Sequence, residues 1–236
     1  MRRRGFSILE LVVAMSIFMI LSVLIFSFFR YGTRSFYSAN ARNSLQSDAL
    51  RVIEGLQLEL GRSAHTSVRI VNDSSRQVDI DGEQYQRDVI SFVALEKWYD
   101  GLNTAQYDPD TGAPLWNRYW VYYADRSPEG KVYRLKVDPD PPPLAAVRLP
   151  RDQFDDLYND DPNSNLFSGK LPGYTMLAKN VEEFSVKKVT EGEFNISIKL
   201  KEKHQKRPSE DGKVREFDFY EIQTNIRPHN SYPNNF

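Results

Sequence analysis

The sequence predicts an α+β protein: one long amino-terminal helix, apolar at first and amphipathic later, packed on a mainly antiparallel β-sheet head. Three observations carry this. Nineteen consecutive residues, Leu11 to Phe29, bear no charge. Apolar residues then recur at helical spacing, with no proline before Pro109. From Thr66 onward the period changes to two, with β-branched and aromatic residues set between turn signals.

At 236 residues the chain is long enough for one large domain or two small ones with a sizeable core. Thirty-one basic residues against 32 acidic ones leave a net charge of −1, so composition makes no electrostatic case for a nucleic-acid partner. Arg2, Arg3 and Arg4 nevertheless cluster at the amino terminus, and the remainder is acidic. With no cysteine there is no disulfide scaffold, thiolate zinc site or cysteine nucleophile. The histidines, His65, His204 and His229, lie far apart and supply little for imidazole chemistry.

A helix over Leu11–Phe29 rises about 28 Å, close to the thickness of a hydrocarbon core. Thirteen of those residues are Leu, Ile, Val or Phe, worth about −4 to −8 kcal/mol on an insertion scale. Glu10 opposes this by at most about 3 kcal/mol, so insertion wins. The arginine cluster favours a cytoplasmic amino terminus, against a counter-bias from Arg30 and Arg34 at the far end. The apolar run is too long for an ordinary cleaved secretory signal.

The residues before that run, Gly5-Phe6-Ser7-Ile8-Leu9-Glu10, resemble the cleavage and methylation motif of the type IV pilin and type II secretion pseudopilin superfamily. The resemblance implies a membrane prepilin peptidase that cuts after Gly5 on the cytoplasmic side and methylates the new amine of Phe6. Residues 1–5 are then a leader peptide, 6–29 the transmembrane half of a stem helix, 30–62 its amphipathic half, and 63–236 a periplasmic β-rich head in a pilin-like fold.

Glu10 needs a compensating partner or a place at the water interface. Its candidate partners are the amine of Phe6, four residues earlier on the same helical face, and the amine of a staggered neighbour; a solvated interfacial carboxylate is the third reading. The resemblance implies the neighbour, with Glu10 setting the register of an incoming subunit during assembly.

The helical signal continues beyond Phe29. Leu45, Ala49, Val52, Ile53, Leu56 and Leu60 form one stripe, with Gln46, Asp48, Arg51, Glu54 and Gln57 on the other face. From Phe6 to about Gly61 the helix would rise roughly 84 Å. Gly32 and Gly55 are candidate bends, and Gly61 is the expected stop. The stripe has two uses, packing on its own head or on neighbouring stems, and the first is favoured because an amphipathic helix gains most of its stability by docking on a domain.

In the head, Phe194, Ile196, Ile198 and Leu200 alternate with polar residues as a half-buried strand, and Tyr133, Leu135 and Val137 do the same. Other expected strands are Ser67–Val71, Val78–Ile80, Val89–Leu95, Tyr119–Tyr123, Phe184–Val189 and Phe217–Ile226. Ser127-Pro128-Glu129-Gly130 and Thr190-Glu191-Gly192 are expected hairpins. Asp100–Asn117 and the proline-rich Asp138–Leu171 are expected as long loops. The charged stretch Lys201–Lys213 is expected as a solvated turn between the last two strands.

Chemistry in the head is sparse. Ser185-Val186-Lys187-Lys188 has the bare Ser-x-x-Lys spacing of some acyl enzymes but falls on an expected strand without companion motifs. Asp108 and Asp110 share one tight turn and are weak calcium candidates; a glutamate is lacking at the twelfth loop position, where Tyr119 stands. Asp155, Asp156, Asp160 and Asp161 form a second acidic cluster. Trp98, Trp116 and Trp120 fall close together, with strand members expected in the core and loop members expected either there or in an exposed contact patch.

The resemblance is nearest to the larger minor members, the J-type pseudopilin or the W-type minor pilin. It implies a non-enzymatic structural subunit without a cofactor, anchored in a bacterial inner membrane and joining a filament tip. Its partners would be the prepilin peptidase, other minor pseudopilins or minor pilins, and the inner-membrane assembly platform. A minor pilin of pilus biogenesis or DNA uptake is the alternative within the class, and a membrane-tethered binding module the alternative outside it.

Overall fold

The computed structural model describes residues 7–80, 82–95, 108, 110, 114–139, 142–143, 145–151, 174–208 and 214–228. Contacts divide the chain into two compact units, Met1–Ser44 and Leu45–Phe236. A single helix, α1 (Ile8–Gly61), accounts for the described part of the first and opens the second. No proline interrupts it, and it stops at Gly61, where the Ser63 N–H donates to the Leu60 carbonyl at 3.0 Å.

Ten strands follow: β1 (Arg69–Val71), β2 (Gln77–Ile80), β3 (Glu83–Gln86), β4 (Val89–Ala94), β5 (Arg118–Ala124), β6 (Lys131–Val137), β7 (Tyr174–Lys179), β8 (Val181–Thr190), β9 (Glu193–Pro208) and β10 (Val214–Ile226). They form a five-stranded sheet ordered β1-β4-β5-β6-β7, a three-stranded sheet ordered β10-β9-β8, and the β2-β3 hairpin. Among the described residues every pairing between these strands is antiparallel, with one isolated parallel bridge from Arg87 to Phe184, so the arrangement is α+β and pilin-like. The hairpin around Gly130 joins β5 to β6 and the one at Glu191-Gly192 joins β8 to β9, as the turn residues required.

One expectation needs correction, and two strands were not expected. Strands β3 and β7 lack a clean apolar alternation: Glu83-Gln84-Tyr85-Gln86 is polar, and it becomes a strand through pairing with β2. Lys201–Pro208 is not a turn, because β9 continues through it in register with β10, from Lys201 opposite Phe219 to Pro208 opposite Val214. Ladder hydrogen bonds extend the strand past the point where apolar alternation ends. Gly55 lies within continuous helix, and its role is a close approach described below.

Two cores result. The stripe Leu45, Ala49, Val52, Ile53, Leu56 and Leu60 is buried, while Gln46, Arg51, Glu54 and Gln57 remain exposed. It packs on Ile90, Phe92 and Tyr122 of the five-stranded sheet and on Phe184, Ile196, Ile198 and Leu200 of the three-stranded one. The opposite face of the larger sheet, including Val89, Val93, Tyr119 and Val121, is covered by Trp116 and Leu149. Strand β4 is therefore buried on both faces, successive residues serving different cores.

A polar seam joins the two sheets at Arg87 and Asp88. Arg87 is fully buried and its guanidinium donates to the carbonyls of Glu182 at 3.1 Å, Asp125 at 2.6 Å and Ser127 at 3.0 Å. The Asp88 N–H donates to the Phe184 carbonyl at 2.8 Å, and its carboxylate accepts from the N–H of Val186 at 2.6 Å and from Gln86 at 2.7 Å. Gly130 closes the arrangement: its φ of +58° is left-handed, and a Cβ there would run into the Val181 carbonyl and the Arg87 guanidinium.

Burial pushes the Asp88 carboxyl up from 3.8 to about 6, against the lowering effects of the Val186 N–H, Gln86 and Arg76. A raised folded-state pKa means that this group's contribution to stability is fully present below about pH 4 and is lost as pH rises through about 6. In Asp88→Asn that dependence should vanish. Thermal unfolding of the full chain in detergent should show the wild type losing ground to the variant between about pH 4 and about pH 6, with a constant difference above; parallel curves would contradict the assignment. For the helix-facing core, Leu56→Ala should cost about 2–5 kcal/mol by denaturant titration. Leu58→Ala, at a position 53% exposed, should cost under about 0.5 kcal/mol.

Candidate functional site

The described chain begins at Ser7, immediately before α1, and its first turn is closed by two reciprocal side-chain bonds. The Leu9 N–H donates to Ser7 Oγ at 3.2 Å, and the Ser7 N–H donates to Glu10 Oε2 at 2.9 Å. This is a capping box, in which the serine and the residue three positions on each satisfy an amide that the helix leaves without a partner. The carboxylate also lies at the positive end of the helix. Glu10 thus has a local partner in the Ser7 backbone, and Ser7-x-x-Glu10 was the available signal for it. Gly5 and Phe6 lie outside the described residues, so the cleavage junction and the Phe6 amine carry no geometry here.

Beyond the cap, every residue from Ser7 to Tyr37 is exposed. Ile8, Phe18, Met19, Phe26, Phe28 and Phe29 are each more than 60% accessible, so this segment presents apolar side chains all round. Two of its hydroxyls bond back onto the helix: Ser16 Oγ donates to the Val12 carbonyl at 2.9 Å and Thr33 Oγ1 to that of Phe29 at 2.8 Å. The helix is long and apolar enough to cross a membrane, and none of its apolar window is buried within the chain. With backbone bonds made internally, such a surface suits lipid tails or other apolar helices and is unfavourable in water.

The polar groups of the head serve packing. Beneath α1, Glu59 accepts from Tyr122 Oη and from Arg134 Nη1 at 2.9 Å, while the Arg134 guanidinium stacks 4.7 Å from the Trp120 ring centroid. Burial raises the Glu59 carboxyl above the usual range and holds the Tyr122 phenol well above its own. Gly55 lets this tyrosine pass: a Cβ there would stand 3.1 Å from its hydroxyl. Ser185 is buried and Lys188 exposed, as an offset of three along β8 requires, so this pair lies on opposite faces.

Asp108 accepts from the Asp110 backbone N–H at 2.9 Å, an Asx turn. Among the described residues no group of three His, Cys, Asp or Glu side chains converges as a metal site. Asp155, Asp156, Asp160 and Asp161 lie outside the described residues, as does Trp98. Trp116 is 3% exposed within the second core, which removes it from any contact patch.

Residues 1–26 match the family model of the prokaryotic N-terminal methylation motif. The chain carries a pilin-type amino terminus. The motif fits a type IV pilin or pseudopilin, and it covers the cap, Glu10 and most of the exposed apolar helix. No curated protein and no solved structure matches the chain.

The capping box is tested by amide exchange of the full chain in micelles. Ser7→Ala should accelerate exchange at Leu9 and Glu10→Ala at Ser7, each by about fivefold for a lost cap of about 1 kcal/mol. Glu10→Gln retains an acceptor oxygen and should stay near wild type. Unchanged exchange at Ser7 in Glu10→Ala would show that Glu10 does not close the turn.

Proposed function

We propose that this chain is a structural, non-enzymatic minor pseudopilin of a type II secretion system. It assembles with other minor pseudopilins at the tip of a pseudopilus for protein export. One observation supports the reading above others: a methylation motif leads directly into an apolar helix left exposed through Tyr37, while the same helix from Leu45 onward is buried by its own head. The later stripe is therefore spent within the molecule, and the earlier surface is what remains for other molecules.

In this reading, residues 1–5 are the leader removed after Gly5, Phe6 becomes the methylated terminus, 6–29 cross the inner membrane, 30–62 form the amphipathic half of the stem, and 63–236 form the periplasmic head. During assembly the apolar surface passes from lipid to neighbouring stems, which keeps it out of water throughout. Glu10 then has two tasks. One carboxylate oxygen closes the first turn on Ser7, and the other receives the amine of an adjacent subunit, an ion pair that a low-dielectric surrounding strengthens.

Mass spectrometry and amino-terminal sequencing of the chain purified from its membrane test this directly. The mature protein should begin at methylated Phe6, and deletion of the prepilin peptidase should restore Met1. Glu10→Gln, which keeps the cap acceptor and removes the charge, should be processed normally yet recovered at less than about a tenth of the wild-type level in cross-linked complexes with other minor pseudopilins. Retention of Met1 in active cells, or wild-type cross-linking by Glu10→Gln, would overturn the proposal.

A further inference from the structure

A cavity of about 380 Å³ opens in the head, bordered by edge strand β1, the end of the β8–β9 hairpin and the segment containing Arg148. Arg69, Arg148, Lys188 and His65 line it together with Asn72 and Phe194, and no aspartate or glutamate is among its described lining residues. Acidic residues slightly outnumber basic ones in the whole chain, so this one-signed lining is a local departure from composition.

Its volume falls within the range of small-molecule sites, about 300–1,000 Å³. Concave walls of low polarisability focus the field of like charges such as those of Arg148 and Lys188, which favours a counter-charge in the space between them. His65 Nδ1 is buried and makes no hydrogen bond among the described residues. The lining thus combines positive charge, an amide with donor and acceptor atoms and an apolar ring.

We propose that this cavity binds a small organic oxyanion, a carboxylate or phosphate carried on a compact body, with Arg148 and Lys188 as its principal charge contacts. The aromatic ring of Phe194 supplies an apolar wall for the body, and Asn72 a polar contact that orients it. The site lies on the head and does not depend on the reading of the amino terminus.

Isothermal titration of the full chain in non-ionic detergent, at constant ionic strength, tests it with two probes, citrate and inorganic phosphate. Saturable binding of either supports the site, and the tighter probe identifies the carboxylate or the phosphate class. Arg148→Ala and Lys188→Ala, both at exposed positions, should each weaken that binding by about tenfold. Lys179→Ala removes an exposed cation that does not line the cavity and should leave affinity unchanged. No saturable binding of either probe, or an equal loss in Lys179→Ala, would overturn the proposal.

Discussion

The head is organised by one apolar stripe, Leu45 to Leu60, because both sheets bury side chains against it. Neither sheet has another cover for that face among the described elements. Phe92 and Tyr122 approach the stripe from the larger sheet and Phe184, Ile196 and Ile198 from the smaller one. Burial of this kind contributes about 1.5–3 kcal/mol for each large side chain, so six helix positions acting together outweigh any single polar contact in the head. The helix is consequently part of the domain's core and not an appendage to it.

Polar groups then decide how closely the elements can approach. The Arg87 guanidinium donates to the carbonyls of Glu182, Asp125 and Ser127, and Gly130 leaves the space it occupies. Gly55 does the same for Tyr122, whose hydroxyl reaches Glu59 across the helix surface. In each case a missing side chain admits a buried polar contact, and a buried polar group without its partner would be costly. These internal charges of the head thereby hold strands and helix together.

The same helix meets two environments with two surface patterns. From Leu11 to Phe29 it is uncharged, largely apolar and exposed, and from Leu45 it is apolar on one side and buried there. A capping box satisfies amides at its first turn, where Ser7 and Glu10 bond each other's backbone and side chain. The carboxylate that marks the processing motif is for this reason also a structural element of the helix start. A change that removes the charge and keeps the acceptor separates the proposed assembly role of Glu10 from its role at the helix start.

The long helix, the stripe, the stop at Gly61 and the two hairpins were legible in the sequence because each depends on residues a few positions apart, where period and turn chemistry act. Strand β3 was not, since its polar residues become a strand only through a partner. The capping box was legible in its spacing, although charge pairing drew attention away from it. Trp116 stood between core and contact until Leu149 and the far face of the larger sheet enclosed it. The amino-acid sequence by itself determined the helix, the motif before it and the antiparallel character of the head. Tertiary structure alone decided the sheet order, the Arg87 seam and the cationic cavity, because these bring together residues distant in the chain: Asp88 meets Val186 across 98 positions, a distance over which no local periodicity carries information.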